Sequence, residues 1–122
     1  HEYYSPEGKV CSVDELESVI ERICAESPGL HFVDNTCVRF GTGPMAPALL
    51  CTPLWSEIPD SALEEVGSSM NDYHLSFVRS AKNAVQRLTP QVTRAWHRAA
   101  VAWLQVEMQR LKDAGCERIG VL

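Results

Sequence analysis

The apolar positions of this chain change period several times, and each change marks an element. Leu16, Val19, Ile20, Ile23 and Cys24 fall on one stripe of a helix over about 13–26, while Asp14, Glu15, Glu17, Glu21 and Glu26 lie mostly off it. Ser12 and Glu15 supply the S-x-x-E signature of a capping box at its start. Ser27-Pro28-Gly29 ends it, because proline cannot continue a helix. Upstream, Ser5-Pro6-Glu7-Gly8 is a turn signal, across which Tyr3-Tyr4 and Lys9-Val10-Cys11 can pair as a short hairpin.

Residues 30–40 read as strands. Leu30-His31-Phe32-Val33 and Thr36-Cys37-Val38-Arg39-Phe40 flank Asp34-Asn35, a pair that tolerates the left-handed region a tight turn requires. After the loop Gly41–Pro47, Ala48-Leu49-Leu50-Cys51-Thr52 is a third strand, closed by Pro53. The three together predict a small antiparallel meander. Pairing the last two about Pro44 sets Phe40 against Ala48, Val38 against Leu50 and Cys37 against Cys51. Both thiols then share a face, either as a disulfide or as reduced neighbours beneath a helix.

From Asp60 the pattern turns helical again. Leu63, Val66, Met70, Tyr73, Phe77, Ala81, Ala84 and Leu88 step by three and four, a near-heptad seam that Gly67-Ser68-Ser69 weakens, predicting a kink or break near 67–71. Thr89-Pro90 caps and opens a last helix running to about residue 113, with Gly115 suited to its C-terminal cap. Val92, Trp96, Ala99, Trp103 and Val106 form one stripe of it, and Ala100, Leu104, Met108 and Leu111 form another. So wide an apolar arc makes this helix an organiser of the core, or part of a contact with a second chain. Ile119–Leu122 is a tail or a short extra strand. The pattern as a whole predicts an α+β fold in one domain over 1–122: an N-terminal helix plus a small antiparallel meander, then a C-terminal α-helical hairpin.

Composition adds exclusions. The chain has 122 residues, 45% of them hydrophobic and 22% charged, an ordinary globular balance. No apolar run approaches the roughly 18–20 residues of a membrane span. The five cysteines, Cys11, Cys24, Cys37, Cys51 and Cys116, form no C-x-x-C pair, and their odd number leaves at least one thiol unbridged within the chain. Reduced thiols suit the cytoplasm. The sequence begins at His1, so removal of a leader, with a periplasmic or secreted destination, stays open.

Charge is distributed unevenly. Residues 1–78 carry three basic residues against thirteen acids, and residues 79–122 carry eight against three. Basic helices can complement the acidic half, within one fold or across a dimer, or they can serve a partner. Arg79, Lys82, Arg94 and Arg98, with the large aromatics Trp96 and Trp103, are the candidate partner-binding residues. A net charge of −5 opposes nucleic acid, and no base-reading motif is visible.

Candidate chemistry is sparse. His74 and His97 lie on predicted helices, and a metal or acid-base site built on them would need a third group such as Asp72 or Glu107; no H-x-x-x-H spacing occurs. Ser68-Ser69 and Gly41-Thr42-Gly43 lack the nucleophile-elbow and phosphate-cradle patterns. With no catalytic signature and no cofactor motif, the expectation is a small soluble non-enzymatic protein-binding module: an adaptor, inhibitor or immunity-type protein, dimeric through its last helices. A nucleic-acid-binding regulator using the basic C-terminal helices is the alternative, and an enzyme comes third.

Overall fold

The structure, a computed structural model, describes residues 3–43 and 45–122. The fold is α+β, with helices and small strand sheets. Its contacts divide into two compact units, one comprising residues 1–32 and 58–93, the other residues 33–57 and 94–122.

The first unit opens with an irregular segment. The expected turn forms, with the Lys9 N–H on the Pro6 carbonyl at 3.0 Å and Gly8 at φ 76°, but among the described residues no strands flank it. Ser5 instead ties the loop shut, its hydroxyl donating to the Cys11 carbonyl and accepting from the Cys11 N–H, both at 3.0 Å. Helix α1 (Val13–Glu26) follows. The Ser12 N–H donates to the Glu15 carboxylate at 2.8 Å, the return half of the capping box. At its other end Pro28 and Gly29 occupy the two central positions of a turn, Gly29 at φ 85° and the Leu30 N–H on the Ser27 carbonyl at 3.1 Å. Along α1 only Val13 is buried.

The near-heptad seam breaks where expected, between Ser69 and Asp72, but beyond that break it does not resume as a helix of any length. A 3₁₀ turn (Asp60–Ala62) leads into α2 (Leu63–Ser69), and α3 (Asp72–Leu75) is a single turn. The Ser68 and Ser69 hydroxyls both bond back to the Glu65 carbonyl, at 3.0 and 2.7 Å, and Met70 is extended. Beyond α3 the chain alternates instead of coiling. Strands β3 (Phe77–Arg79) and β4 (Val85–Arg87) pair antiparallel, Phe77 opposite Arg87 and Arg79 opposite Val85. Asn83 turns the hairpin at φ 61°, a conformation asparagine tolerates. So the first arm of the expected helical pair is short, and a hairpin replaces its second half. Ala81 and Ala84, which completed the seam on paper, are weak apolar markers and both are exposed.

The second unit holds a three-stranded sheet ordered β1 (Thr36–Arg39), β2 (Ala48–Cys51), β5 (Ile119–Val121). β1 and β2 pair antiparallel as expected, but one residue out of the expected register: Cys37 lies opposite Leu50 and Thr36 opposite Cys51. Because strand side chains alternate, that single step sends Cys37 and Cys51 to opposite faces. All five cysteines are free thiols. The turn at Pro44 lies outside the described residues. Residues 30–33 form no strand. The meander's third place is taken by β5, which joins β2 in parallel, Ala48 opposite Ile119 and Leu50 opposite Val121.

Helix α4 (Pro90–Asp113) ends as its sequence predicts. Gly115 takes φ 76°, its N–H bonds the Lys112 carbonyl at 2.9 Å, and the Cys116 N–H reaches the Leu111 carbonyl at 2.9 Å, which is a Schellman closure. The second apolar stripe of α4 builds the core of this unit. Ala48, Leu50, Leu111 and Cys116 are buried together, with Cys37, Trp103, Leu104, Met108 and Ile119 packed against them. No helix among the described residues is long and apolar enough to cross a membrane.

Candidate functional site

The first apolar stripe of α4 is the part its own sheet does not absorb. Within the second unit, Trp96 and Trp103 are half-buried, Ala99 is exposed, and Val106 is 66% exposed. A helix turns by about 100° per residue, so this stripe lies to one side of the core-facing one, and of its residues only Trp103 is packed against the core cluster.

Around Trp96 the stripe is elaborated by the segment after β2. Pro53 and Pro59 keep residues 52–59 free of regular structure. Trp55 meets Trp96 with ring centroids 5.8 Å apart and planes tilted at 56°, a favourable aromatic geometry. The Trp55 carbonyl makes a short hydrogen bond with Nδ1 of His97. Glu57 faces the same helix: Arg98 donates to it through Nη2 at 2.6 Å and Nε at 3.1 and 3.2 Å, and Nε2 of His97 lies 3.8 Å away. The hydrogen bonds from Arg98 hold the Glu57 carboxyl below its usual range; the charges of Arg98, His97 and Arg94 act the same way, and desolvation opposes them. Leu54, beside Trp55 in the chain, is 53% exposed.

The six candidate residues therefore divide. Arg94, Trp96, Arg98 and Trp103 lie on the second-unit part of α4, with Trp103 turned partly into the core cluster. Arg79 and Lys82 lie on the β3–β4 hairpin of the first unit. Arg79 is committed to Glu15 at 2.5 Å and contacts Asn83 at 3.4 Å, and Lys82 is exposed in the turn. Arg110 is likewise bonded to Glu107, at 2.7 Å. Arg79, Arg98 and Arg110 thus each meet a carboxylate inside their own unit. Sequence reasoning counted Trp55 among the aromatics but gave Trp55 and Glu57 no role beside α4. The two prolines that hold their segment extended were the available signal.

The charged groups of this patch are largely engaged with one another. Glu57 is held as a carboxylate by a guanidinium, which suits it poorly to take up a proton. His97 has one nitrogen engaged by a backbone carbonyl. Among the described residues, no group of three or more His, Cys, Asp or Glu side chains is placed to hold a metal ion. His74 spends its Nε2 on the Ser68 carbonyl at 3.0 Å. What remains is an apolar and aromatic stripe edged by a partly exposed ion pair, the composition that recurs at protein contact sites.

The chain is similar to an uncharacterized protein of Acanthamoeba polyphaga mimivirus, 25% identical over 114 residues. That match takes in 93% of this chain but only 38% of the viral protein, so the chain spans about two-fifths of the length of the curated relative it matches. No protein-family model and no solved structure matches it.

Proposed function

We propose that this chain is a non-enzymatic protein-binding module, of the adaptor or inhibitor kind, that meets its partner through the outer stripe of α4. The observation that carries the reading is the exposure along that stripe, from half-buried Trp96 and Trp103 to Ala99 and to Val106 at 66%, beside the Trp55 and Arg98–Glu57 rim. Aromatic and arginine side chains in such a setting supply most of the energy of typical protein interfaces. The five free thiols fit a reducing compartment, and we place the module in the cytoplasm on that basis. The nucleic-acid alternative draws less support, because Arg79, Arg98 and Arg110 are each paired with a carboxylate. A homodimer through the last helices would use the same wide apolar face of α4, without the continuous seam that also suggested it.

The test is a photo-crosslinking amino acid at Val106, in cells that make the protein. The reading expects a discrete adduct with a different protein, insensitive to nuclease and lost in Trp96→Ala. Nuclease-sensitive adducts alone would favour the alternative, and adducts only with itself would make the stripe a dimer contact.

A further inference from the structure

The sheet of the second unit ends in two edge strands, β1 and β5, and the two edges differ. The Ala48 N–H donates to the Arg118 carbonyl and the Leu122 N–H to the Leu50 carbonyl, both at 2.9 Å, and the Thr52 N–H reaches the Leu122 carbonyl at 3.1 Å. Backbone groups alternate sides along a strand, so Arg118, Gly120 and Leu122 serve β2, while the N–H and C=O of Ile119 and Val121 point away from it. Among the described residues, no hydrogen bond reaches those four groups. The side chains alternate between faces: Ile119 lies opposite Ala48 and Val121 opposite Leu50, so both face the α4 side of the sheet. Ile119 is packed there, but Val121 is 53% exposed. A groove of about 670 Å³ runs beside Ile119, lined by Met108 and Lys112 of α4 and by Gly115, Cys116 and Glu117, with no residue of β1 or β2 among them. It lies where an inward side chain of a fourth strand would sit. The β1 edge is guarded by charge: the Arg110 guanidinium reaches Cys37, and Arg39 folds back to the Gly43 carbonyl at 2.9 Å. β5 carries no charge and no proline.

We propose that β5 pairs antiparallel with β5 of a second copy, about a two-fold axis through Gly120. Ile119 then stands opposite Val121 of the second copy, and Val121 opposite its Ile119. Four backbone hydrogen bonds use all the outward groups of both strands. An axis normal to the sheet keeps the α4 sides of the two copies together, so Val121 of one enters the groove beside Ile119 of the other. The exposed side chain and the groove are the two halves of one contact. An unrelated strand satisfies the backbone equally, but symmetry is what brings a valine to the groove. Charge does not oppose the pairing: the unit carries six basic residues against five acids, a net +1, and Lys112 and Glu117 beside the groove are of opposite sign. The contact goes beyond the α4 stripe. Val106 lies about 160° around the helix from Met108, so both stripes stay open and the pair is bivalent.

Sedimentation equilibrium of the full chain, with backbone amide exchange read by nuclear magnetic resonance, tests the proposal. The expected result is a dimer in which the Ile119 and Val121 amides are protected. On dilution to monomer both lose protection, while Gly120 keeps it. Val121→Lys charges the edge and should raise the dissociation constant about tenfold or more. Val121→Pro removes an N–H that β2 does not use, and should do the same. Protection of the Leu50 and Leu111 amides shows that each variant folds, and the exchange map of the unaltered protein needs no variant. Val106→Glu should leave the dimer unchanged. A chain that stays monomeric up to about 1 mM overturns the proposal. So does a dimer whose Ile119 and Val121 amides exchange freely, or one lost in Val106→Glu but not in Val121→Lys. A monomer whose β5 amides become protected only on adding an extended Val/Thr peptide would give the edge to another protein, and overturns it too.

Discussion

In the second unit Leu50 and Leu111 are fully buried, and Ala48 and Cys116 nearly so, around one contiguous core. In the first unit α1 buries Val13 and leaves Val19 and Ile23 half in solvent. Both helices carry plain apolar stripes, so the stripe alone does not decide burial. The difference is the partner. The inner stripe of α4 has a three-stranded sheet against it, while α1 has the short β3 strand and the single bridge from Ser12 to Phe77. Amphipathic pattern specifies which face of a helix is available, and the length of the opposing element decides how much of it is used.

The sharpest way to break this comparison is a matched pair of truncations. Leu111→Ala removes a fully buried side chain from a packed cluster and should cost about 2–5 kcal/mol. Ile23→Ala, half-exposed, should cost less than about 1 kcal/mol. Urea denaturation followed by tryptophan fluorescence reads the first, and far-ultraviolet circular dichroism the second. If the two costs are equal, α1 is covered as fully as α4, and the asymmetry falls.

Between these lies the cap of α1. With so little of the helix buried, its local terms carry a larger share of its stability than those of α4 do. Ser12→Ala removes the hydroxyl bonded to Glu15 at 3.1 Å, from a residue that is fully buried. Loss of a helix N-cap costs about 1 kcal/mol. The expected result is faster amide exchange across Val13–Glu26, with the Leu111 core unaffected. Uniform loosening of both units would mean that α1 is not the weaker element.

The legible features were those encoded by local chemistry. Ser12 with Glu15, Pro28-Gly29 and Gly115 located three helix boundaries, because caps and left-handed turns are properties of a few neighbouring residues. The strands around residues 36–39 and 48–51 were legible too, yet their register slipped by one. The loop containing Pro44 offered no defined two-residue turn to fix it, and that slip separated Cys37 from Cys51. The seam from Leu63 to Leu88 misled because alanine satisfies helical spacing without demanding it. Only Asn83, between two short β-branched or aromatic segments, hinted at the hairpin. At the α4 stripe, Trp96 and Arg98 stood out by residue type, whereas Glu57 and Trp55 are brought to them by a segment with no periodicity to read.

The smallest effect compares the two units through acid. Glu15, in the first, is held below the usual glutamate value of 4.5 by the Ser12 backbone N–H, then the Ser12 hydroxyl and Arg79. Glu57, in the second, is lowered by its bonds from Arg98. A carboxyl whose folded value is depressed contributes stability above its unfolded value and loses it as pH falls through the folded one. Both units should therefore weaken as pH drops below 4.5, and Glu15→Gln and Glu57→Gln should each flatten the dependence in their own unit. Both groups are open to solvent, so the change is slight and should shrink further with salt. Side-chain carboxyl resonances followed through the titration give the measurement. If Glu15 titrates at 4.5 or above in the unaltered protein, its bonds to Ser12 and Arg79 do not persist in solution, and the cap prediction weakens with them.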